Sequence, residues 1–78
     1  MKSVTVFFDN AEEVWRFVNI LRKYEGDYDL AAGRYTVDAK SILGVCALGI
    51  GKTLELQMIN PKGEEESLLT ELKSYLVS

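Results

Sequence analysis

The sequence predicts a two-layer α+β sandwich in which four short strands and three helices follow the order β-α-β-β-α-β-α. Three observations carry this prediction: a helical repeat of apolar residues over Ala11–Tyr24, apolar alternation over Leu54–Ile59, and a second helical repeat over Glu64–Val77. Because 78 residues leave room for one small core, we expect residues 1–78 to form a single domain. Sandwiches of this kind host many functions, so the fold class alone predicts none.

A strand and a helix are predicted at the start of the chain. The β-branched and aromatic run Val4–Phe8 predicts the strand, and Asp9 or Asn10 is placed to cap the helix that follows. The apolar side of that helix comprises Val14, Phe17, Val18, Leu21 and Tyr24. Acidic residues open the helix and basic residues close it, as the helix dipole favours, and we expect Gly26 to end it.

A hairpin and a short helix are predicted in the middle of the chain. The runs Tyr28–Ala32 and Arg34–Asp38 flank Gly33, which we expect at the position of positive φ in the hairpin turn. Ser41 then opens an apolar stretch that begins like a short helix and ends at Gly49.

Composition argues against several classes of function. Twelve acidic and nine basic side chains are well mixed and give a net charge of −3, whereas nucleic-acid binders usually present a basic patch. Cys46 is the single cysteine and histidine is absent, so we expect no internal disulfide, no metal site and no cofactor. No apolar run approaches the roughly 18 residues of a membrane span or forms a secretory signal. We therefore expect a cytoplasmic protein without membrane insertion.

The segment Val37–Ile50 closely resembles the regulatory-serine region of HPr proteins, the phosphocarriers of the bacterial sugar phosphotransferase system. The family pattern is a lysine-serine-isoleucine-methionine/leucine-glycine-valine run followed by leucine-glycine, and the matching residues here are Lys40-Ser41-Ile42-Leu43-Gly44-Val45 and Leu48-Gly49. Phe17-Val18 falls where the family's first helix carries its phenylalanine–valine pair, so the resemblance covers essentially the whole chain. It implies an open-faced sandwich with an antiparallel four-stranded sheet and three helices on one face.

The resemblance breaks down where the family carries phosphate. HPr proteins hold it on a histidine at the start of the first helix, followed two residues later by an arginine and then a proline. Counting back from Phe17-Val18, these positions fall near Asn10, Glu12 and Glu13, and the connection before them is shorter than in the family. Asparagine cannot form a phosphoramidate, and carboxylates beside a phosphoryl group repel it. We therefore expect phosphoryl relay through this site to be lost.

Ser41 is the predicted regulatory phosphorylation site. In the family the corresponding serine is the target of an ATP-dependent kinase, and the modified protein can act as a corepressor. A serine at a helix N-terminus presents its hydroxyl where backbone N–H groups and the helix dipole favour an added phosphate. The alternative interpretation is that Ser41 is only a helix cap, a common role of serine.

Partner binding is predicted at the second helix, where HPr proteins present an exposed apolar patch; the corresponding residues here are Lys40, Ile42, Leu43 and Cys46. Trp15 of the first helix is a further predicted contact. Val45 and Leu48 are better placed to face the core. The alternative is that all the apolar side chains of the second helix are buried in so small a core. Trp15 lies opposite Phe17 on the first helix, near the altered site. Tyr24, Tyr28, Tyr35 and Tyr75 are predicted to pack in or against the core, and packing is also the alternative interpretation of Trp15.

Two other features resemble functional motifs but lack their context. Gly51-Lys52-Thr53 resembles the end of a P-loop, yet Cys46 stands where that motif needs its first glycine, and a helix is predicted where the motif needs a strand. Glu64-Glu65-Glu66 is predicted to form the solvated first turn of the last helix. With no nucleophile–base pair and no set of metal ligands, we expect no enzymatic activity.

The resemblance therefore implies a regulatory or adaptor protein of HPr descent that lacks histidine phosphoryl transfer. The expected partners are proteins: an HPr-type serine kinase, a transcriptional regulator or a sugar-pathway protein. The alternative is a repurposed interaction module of HPr ancestry with no role in sugar transport. Neither interpretation predicts an oligomeric state.

Overall fold

A computed structural model describes residues 2–77 and confirms the predicted order of elements. The strands are β1 (Lys2–Phe7), β2 (Asp27–Ala32), β3 (Tyr35–Asp38) and β4 (Thr53–Asn60). The helices are α1 (Ala11–Leu21), α2 (Ile42–Leu48) and α3 (Glu65–Glu71), and a 3₁₀ turn follows at Lys73–Tyr75. The strands form one antiparallel sheet in the order β1-β4-β2-β3, which confirms the predicted α+β sandwich.

The core lies between the helices and one face of the sheet. Strand β4 shows why: Leu54, Leu56 and Met58 are buried, whereas Glu55 between them is exposed on the other face. The helices contribute a matching apolar side that comprises Val14, Phe17, Val18, Leu21, Val45, Leu48, Leu68 and Leu72. Because all three helices cover the same face, the opposite face of the sheet stays open to solvent. No helix within residues 2–77 has both the length and the apolar character needed to cross a membrane.

Helix α1 is shorter than the sequence predicts. It ends at Leu21 rather than Tyr24, so Arg22 and Lys23 follow the last turn instead of lying in it. Tertiary contacts explain the early end, since Arg22 Nε donates a hydrogen bond to the carbonyl of Lys40 and Lys23 forms an ion pair with Glu71. The next residues continue as a turn and bring the chain back to the sheet.

Gly26 is required for close packing rather than for ending α1. A Cβ placed on Gly26 would lie 2.6 Å from the carbonyl oxygen of Asn60, so the backbone would have to shift to accommodate any other residue. The positive φ predicted at Gly33 is confirmed, since its φ of 60° opens the turn between β2 and β3.

The last helix is also shorter than predicted, because it spans Glu65–Glu71 and not Glu64–Val77. Glu64 precedes the helix, and its half-exposed carboxylate is held by hydrogen bonds. It accepts hydrogen bonds from the backbone N–H groups of Glu25 and Gly26 and from the hydroxyl of Tyr28. This carboxylate joins the start of α3 to the turn that leads into β2.

The prediction that Tyr35 packs against the core is wrong. Tyr35 is 67% exposed, because it lies at the start of β3, the last strand of the sheet, where few elements cover it. The other three tyrosines follow the prediction: Tyr28 is buried, and Tyr24 and Tyr75 are half-buried against the core.

Candidate functional site

The N-terminus of α1 is closed by two of the chain's own side chains. Asn10 has extended backbone angles and its Oδ1 accepts a hydrogen bond from the N–H of Glu13 at 3.0 Å. In return, Oε1 of Glu13 accepts a hydrogen bond from the N–H of Asp9 at 2.8 Å. This reciprocal pair is a variant of the capping box. The Glu13 carboxylate accepts its hydrogen bond from the N–H of Asp9, the residue before the cap, and not from the N–H of Asn10. Of the two residues predicted to cap α1, Asp9 and Asn10, the cap is therefore Asn10, and Glu13 is its partner.

The surface around this cap is acidic. The carboxylates of Asp9, Glu12 and Glu13 gather within one turn, and Arg16 lies one turn further along the helix. The guanidinium of Arg16 forms an ion pair with Glu12 at 3.0 Å, so its charge is already partly compensated. A doubly charged phosphoryl group placed here would meet three carboxylates and one engaged arginine.

An aromatic cluster lies beneath the cap. The rings of Phe8 and Phe17 meet edge to face at 4.7 Å between centroids, and Tyr75 contacts both at 5.9 and 5.7 Å. Burial and the nearby negative charge of Glu13 raise the pKa of the Tyr75 hydroxyl. The aromatic cluster is therefore a packing device that fixes the start of α1. Trp15 lies outside it and is 56% exposed, so the interpretation of Trp15 as a packing residue is wrong.

Ser41 lies at the N-terminus of α2, where its hydroxyl oxygen accepts a hydrogen bond from the N–H of Gly44 at 3.1 Å. Its own N–H donates to the carbonyl of Asp38 at 3.0 Å, and its carbonyl accepts from Val45 at 2.9 Å. The side chain is half-buried. A Cβ on Gly44 would lie 3.1 Å from the Ser41 hydroxyl oxygen, so the glycine leaves space beside this group.

Two cations lie next to Ser41. Lys40 Nζ donates a hydrogen bond to the carbonyl of Tyr24 at 2.6 Å and lies 5.8 Å from the centre of the Tyr28 ring. Arg22 reaches the same segment from the end of α1, with its Nε 3.2 Å from the Lys40 carbonyl oxygen. No acidic residue lies in the first turn of α2, although Asp38 precedes it and accepts a hydrogen bond from the N–H of Lys40. Lys40, Arg22 and Asp38 are therefore the charged residues that contact the segment preceding Ser41.

Exposure divides the predicted docking residues of α2 into two groups. Leu43 is 84% exposed, which is unusual for a leucine of a small domain, whereas Ile42 and Cys46 are half-buried against the core. Val45 and Leu48 are buried as predicted. The alternative that the whole apolar segment is buried is wrong, and Leu43 is the exposed large apolar side chain of the helix.

Comparisons with known proteins agree with this architecture. The family model PTS-HPr, described as the PTS HPr component phosphorylation site, matches residues 10–78. The chain belongs to the HPr family. A solved structure of HPr-C-His from Thermoanaerobacter tengcongensis is similar with a TM-score of 0.74 and 28% identity, over 92% of this chain and 90% of that one. The comparison with curated proteins found no match.

Membership of the HPr family relates the chain to the phosphocarriers of the phosphotransferase system, which carry phosphate and are not catalysts. None of its 78 residues is a histidine.

Sequence reasoning found Asn10 and Ser41 at the two helix N-termini but missed Glu13 and Arg22 as their neighbours. The spacing of Asn10 and Glu13 is that of a capping box and could have indicated the first pair. Arg22 contacts a segment 18 residues away, for which the sequence carries no local signal.

Proposed function

We propose that this chain is an HPr-type regulatory or adaptor protein that does not carry phosphate on a histidine and receives regulatory phosphate on Ser41. Partner proteins dock on the exposed side of α2. The observation that carries the proposal is the contrast between the two helix N-termini. Helix α1 begins with an acidic, reciprocally capped turn, whereas α2 begins with a serine that follows Lys40, whose carbonyl accepts a hydrogen bond from Arg22.

Loss of the carrier function rests on chemistry at the start of α1. The Asn10 side chain is an amide whose oxygen is already bound to the N–H of Glu13, and an amide nitrogen is not nucleophilic enough to take a phosphoryl group. Carriers need positive charge beside the phosphate, whereas Glu12 and Glu13 supply negative charge. Even a nucleophile placed at Asn10 would work against the local field.

Phosphorylation of Ser41 is supported by the groups that would surround the phosphate. The phosphate oxygens would replace the hydroxyl as acceptors for the Gly44 N–H, and an ionised acceptor makes a stronger hydrogen bond than a neutral one. Arg22 and Lys40 both contact the segment next to Ser41, so a phosphate there would attract their charges. Repulsion from Asp38 opposes this gain, so the modification adds charge to the surface without a large change in stability.

Docking is supported by the exposure of Leu43, with Ile42, Cys46, Lys40 and Trp15 as the further predicted contacts. A large apolar side chain that is 84% exposed gains most when a partner covers it. We expect the partners to be an HPr-type serine kinase, a transcriptional regulator or a sugar-pathway protein. Leu43→Glu is expected to weaken kinase binding at least about tenfold, whereas Ile59→Glu, the same change at another exposed apolar position, leaves it unchanged.

Intact-mass measurement in two reactions tests the proposal. One reaction supplies phosphoenolpyruvate and the first enzyme of the sugar phosphotransferase system, and the other supplies ATP and an HPr-type serine kinase. A histidine-containing HPr protein serves as the positive control in both. We expect a gain of about 80 Da, the mass of one phosphate, in the kinase reaction alone.

Matched variants assign the modified residue. Ser41→Ala is expected to abolish the gain, and Ser67→Ala, which removes an exposed serine of α3, is expected to leave it intact. A gain with phosphoenolpyruvate would contradict the loss of relay. Labelling that persists in Ser41→Ala would exclude Ser41 as the site.

A second candidate function is a repurposed interaction module of HPr ancestry. The acidic cap at Asn10 and Glu13 favours it, because it alters the surface at which a phosphotransferase partner would approach the carrier histidine. Absence of labelling in both reactions, together with no binding to the kinase, would favour this module over the regulatory protein.

A further inference from the structure

The two edges of the sheet are treated differently. At the β1 edge the end of the chain adds a short extra pairing, since Leu76 bridges Val6 and the N–H of Val77 donates to the carbonyl of Thr5 at 2.9 Å. At the opposite edge, β3 has β2 as its single strand neighbour within residues 2–77. An uncovered edge strand presents unpaired backbone groups that can pair with another strand.

The backbone groups that β3 presents to solvent can be assigned from its pairing with β2. The N–H of Ala39 donates to the carbonyl of Tyr28 at 2.9 Å, and hydrogen-bonded pairs alternate along an antiparallel ladder. Val37 and Tyr35 lie two and four residues before Ala39, so their N–H and C=O groups also point towards β2. The N–H and C=O of Thr36 therefore point away from the sheet, at the centre of the free edge.

Charges at this edge are unbalanced within one copy of the chain. Asp38 of β3 lies directly opposite Asp29 of β2, and like charges in such a pair repel. Arg34 precedes β3, is exposed, and takes no part in the two ion pairs found within residues 2–77. Asp38 and Arg34 therefore lie at the same edge without an ion-pair partner within residues 2–77, and Asp29 lies beside Asp38 on the neighbouring strand.

Only a few registers allow β3 to pair with β3 of a second copy. Outward-pointing residues must pair with one another, so the two-fold axis passes through a residue and not between two residues. An axis at Asp38 would place the two Asp38 carboxylates opposite each other, which leaves residues 35, 36 and 37 of β3. An axis at 37 places Arg34 opposite Lys40 of the second copy, and an axis at 35 leaves Asp38 without an opposite charge. An axis at Thr36 places Arg34 of each copy opposite Asp38 of the other, beside Asp29.

The same register fits the apolar surface beside the edge. A groove between β3 and α2 is lined by Tyr35, Val37, Gly44, Ala47, Leu48 and Lys52. With the axis at Thr36, Tyr35 of each copy lies opposite Val37 of the other, on the side of the sheet that carries the groove. The ring of Tyr35, which is 67% exposed in one copy, would be covered there.

We propose that two copies of this chain associate through their β3 edges, with Thr36 on the two-fold axis and Arg34 of each copy paired with Asp38 of the other. The product is a continuous eight-stranded antiparallel sheet. The interface comprises about five residues of each edge and the groove beside it, well below the area of stable dimers. We therefore expect a weak, reversible dimer with a dissociation constant on the order of 0.1–1 mM.

Sedimentation equilibrium over a range of protein concentrations tests the proposal on the full chain. Arg34→Asp places a third acid beside Asp29 and Asp38, and we expect it to weaken dimerisation at least about tenfold. Lys73→Asp is the matched control, because Lys73 is exposed and lies near the β1 edge. It makes the same change in charge and is expected to leave the dissociation constant within about twofold.

Two further variants make the register specific. The charge exchange Arg34→Asp with Asp38→Arg restores opposite charges across the axis and is expected to recover dimerisation. Thr36→Pro removes the N–H on the axis without removing a bond to β2, and is expected to abolish dimerisation while the circular dichroism spectrum is retained. A monomer at about 2 mM would overturn the proposal. A dimer that Arg34→Asp and Thr36→Pro leave unchanged would also overturn it, because association would then use another surface.

Discussion

Replacing Asn10 by alanine tests the interpretation of the α1 N-terminus as a structural cap. The substitution removes the Oδ1 acceptor that lies 3.0 Å from the Glu13 N–H, and loss of such a cap typically costs about 1 kcal/mol. For a domain of this size, about 1 kcal/mol corresponds to a fall of roughly 4–8 °C in Tm. Glu13→Ala removes the return bond to Asp9 and a favourable charge at the helix N-terminus, so we expect a loss of similar size.

The two losses are expected to be coupled, because both hydrogen bonds depend on the position of Glu13. A double-mutant cycle should give a coupling free energy of roughly 0.5 kcal/mol. Urea unfolding followed by circular dichroism supplies the free energies, and Trp15, the single tryptophan, gives a second probe within the same helix.

Asn19→Ala is the matched control for this experiment. Asn19 lies inside α1, where its side chain donates to the carbonyl of Trp15, and alanine is the better helix former at such a position. We expect Asn19→Ala to leave the free energy of unfolding unchanged or to raise it slightly. If Asn10→Ala cost less than about 0.3 kcal/mol, or no more than Asn19→Ala, the start of α1 would not be held by a side-chain cap and the argument would fail.

Three further predictions concern the turn before β2 and the family's carrier position. Gly26→Ala is expected to destabilise the fold by about 1–3 kcal/mol, because its Cβ would lie 2.6 Å from the Asn60 carbonyl oxygen; an unchanged Tm would show that the turn relaxes freely. Although burial acts to raise the pKa of Glu64, hydrogen bonds from Tyr28 and the backbone hold it below its ordinary value of 4.5. The stability that these bonds contribute is therefore present above about pH 4.5 and is lost as the pH falls through the folded-state pKa, which Tm measured against pH would detect and which Tyr28→Phe should diminish. Asn10→His is expected to gain no phosphate from phosphoenolpyruvate and the first enzyme of the phosphotransferase system, because the acidic neighbours remain; a gain of about 80 Da in intact mass would contradict this.

Local patterns predicted the elements of this fold, whereas contacts between distant segments decided where several of them end. The cap at Asn10, the turn at Gly33 and the start of α2 at Ser41 each depend on neighbouring residues, and each is found as predicted. The end of α1 depends on Arg22 and Lys23, whose partners lie 18 and 48 residues further along the chain. No local pattern encodes such partners.

The same reasoning explains the errors at Glu64 and Tyr35. An acid before a helix indicates a solvated first turn, but the Glu64 carboxylate accepts hydrogen bonds from a turn 38 residues away. An aromatic residue in a strand indicates packing, yet Tyr35 lies on an edge strand, and the order of strands in the sheet is not readable from the composition of one of them.

The two helix N-termini differ in the charged groups that would surround a phosphate. At α1 the N–H of Glu13 is bound by Asn10, and the Glu13 carboxylate bound to the Asp9 N–H brings negative charge to the place where a phosphate would stand. At α2 a neutral hydroxyl is the only side-chain cap, and Arg22 lies close to the backbone beside it. Adding a dianion would therefore break a favourable arrangement at the first site and complete one at the second. This difference in local field, more than the identity of a single residue, is why the proposed regulation is assigned to α2 and why restoring a histidine at α1 alone is not expected to restore a carrier.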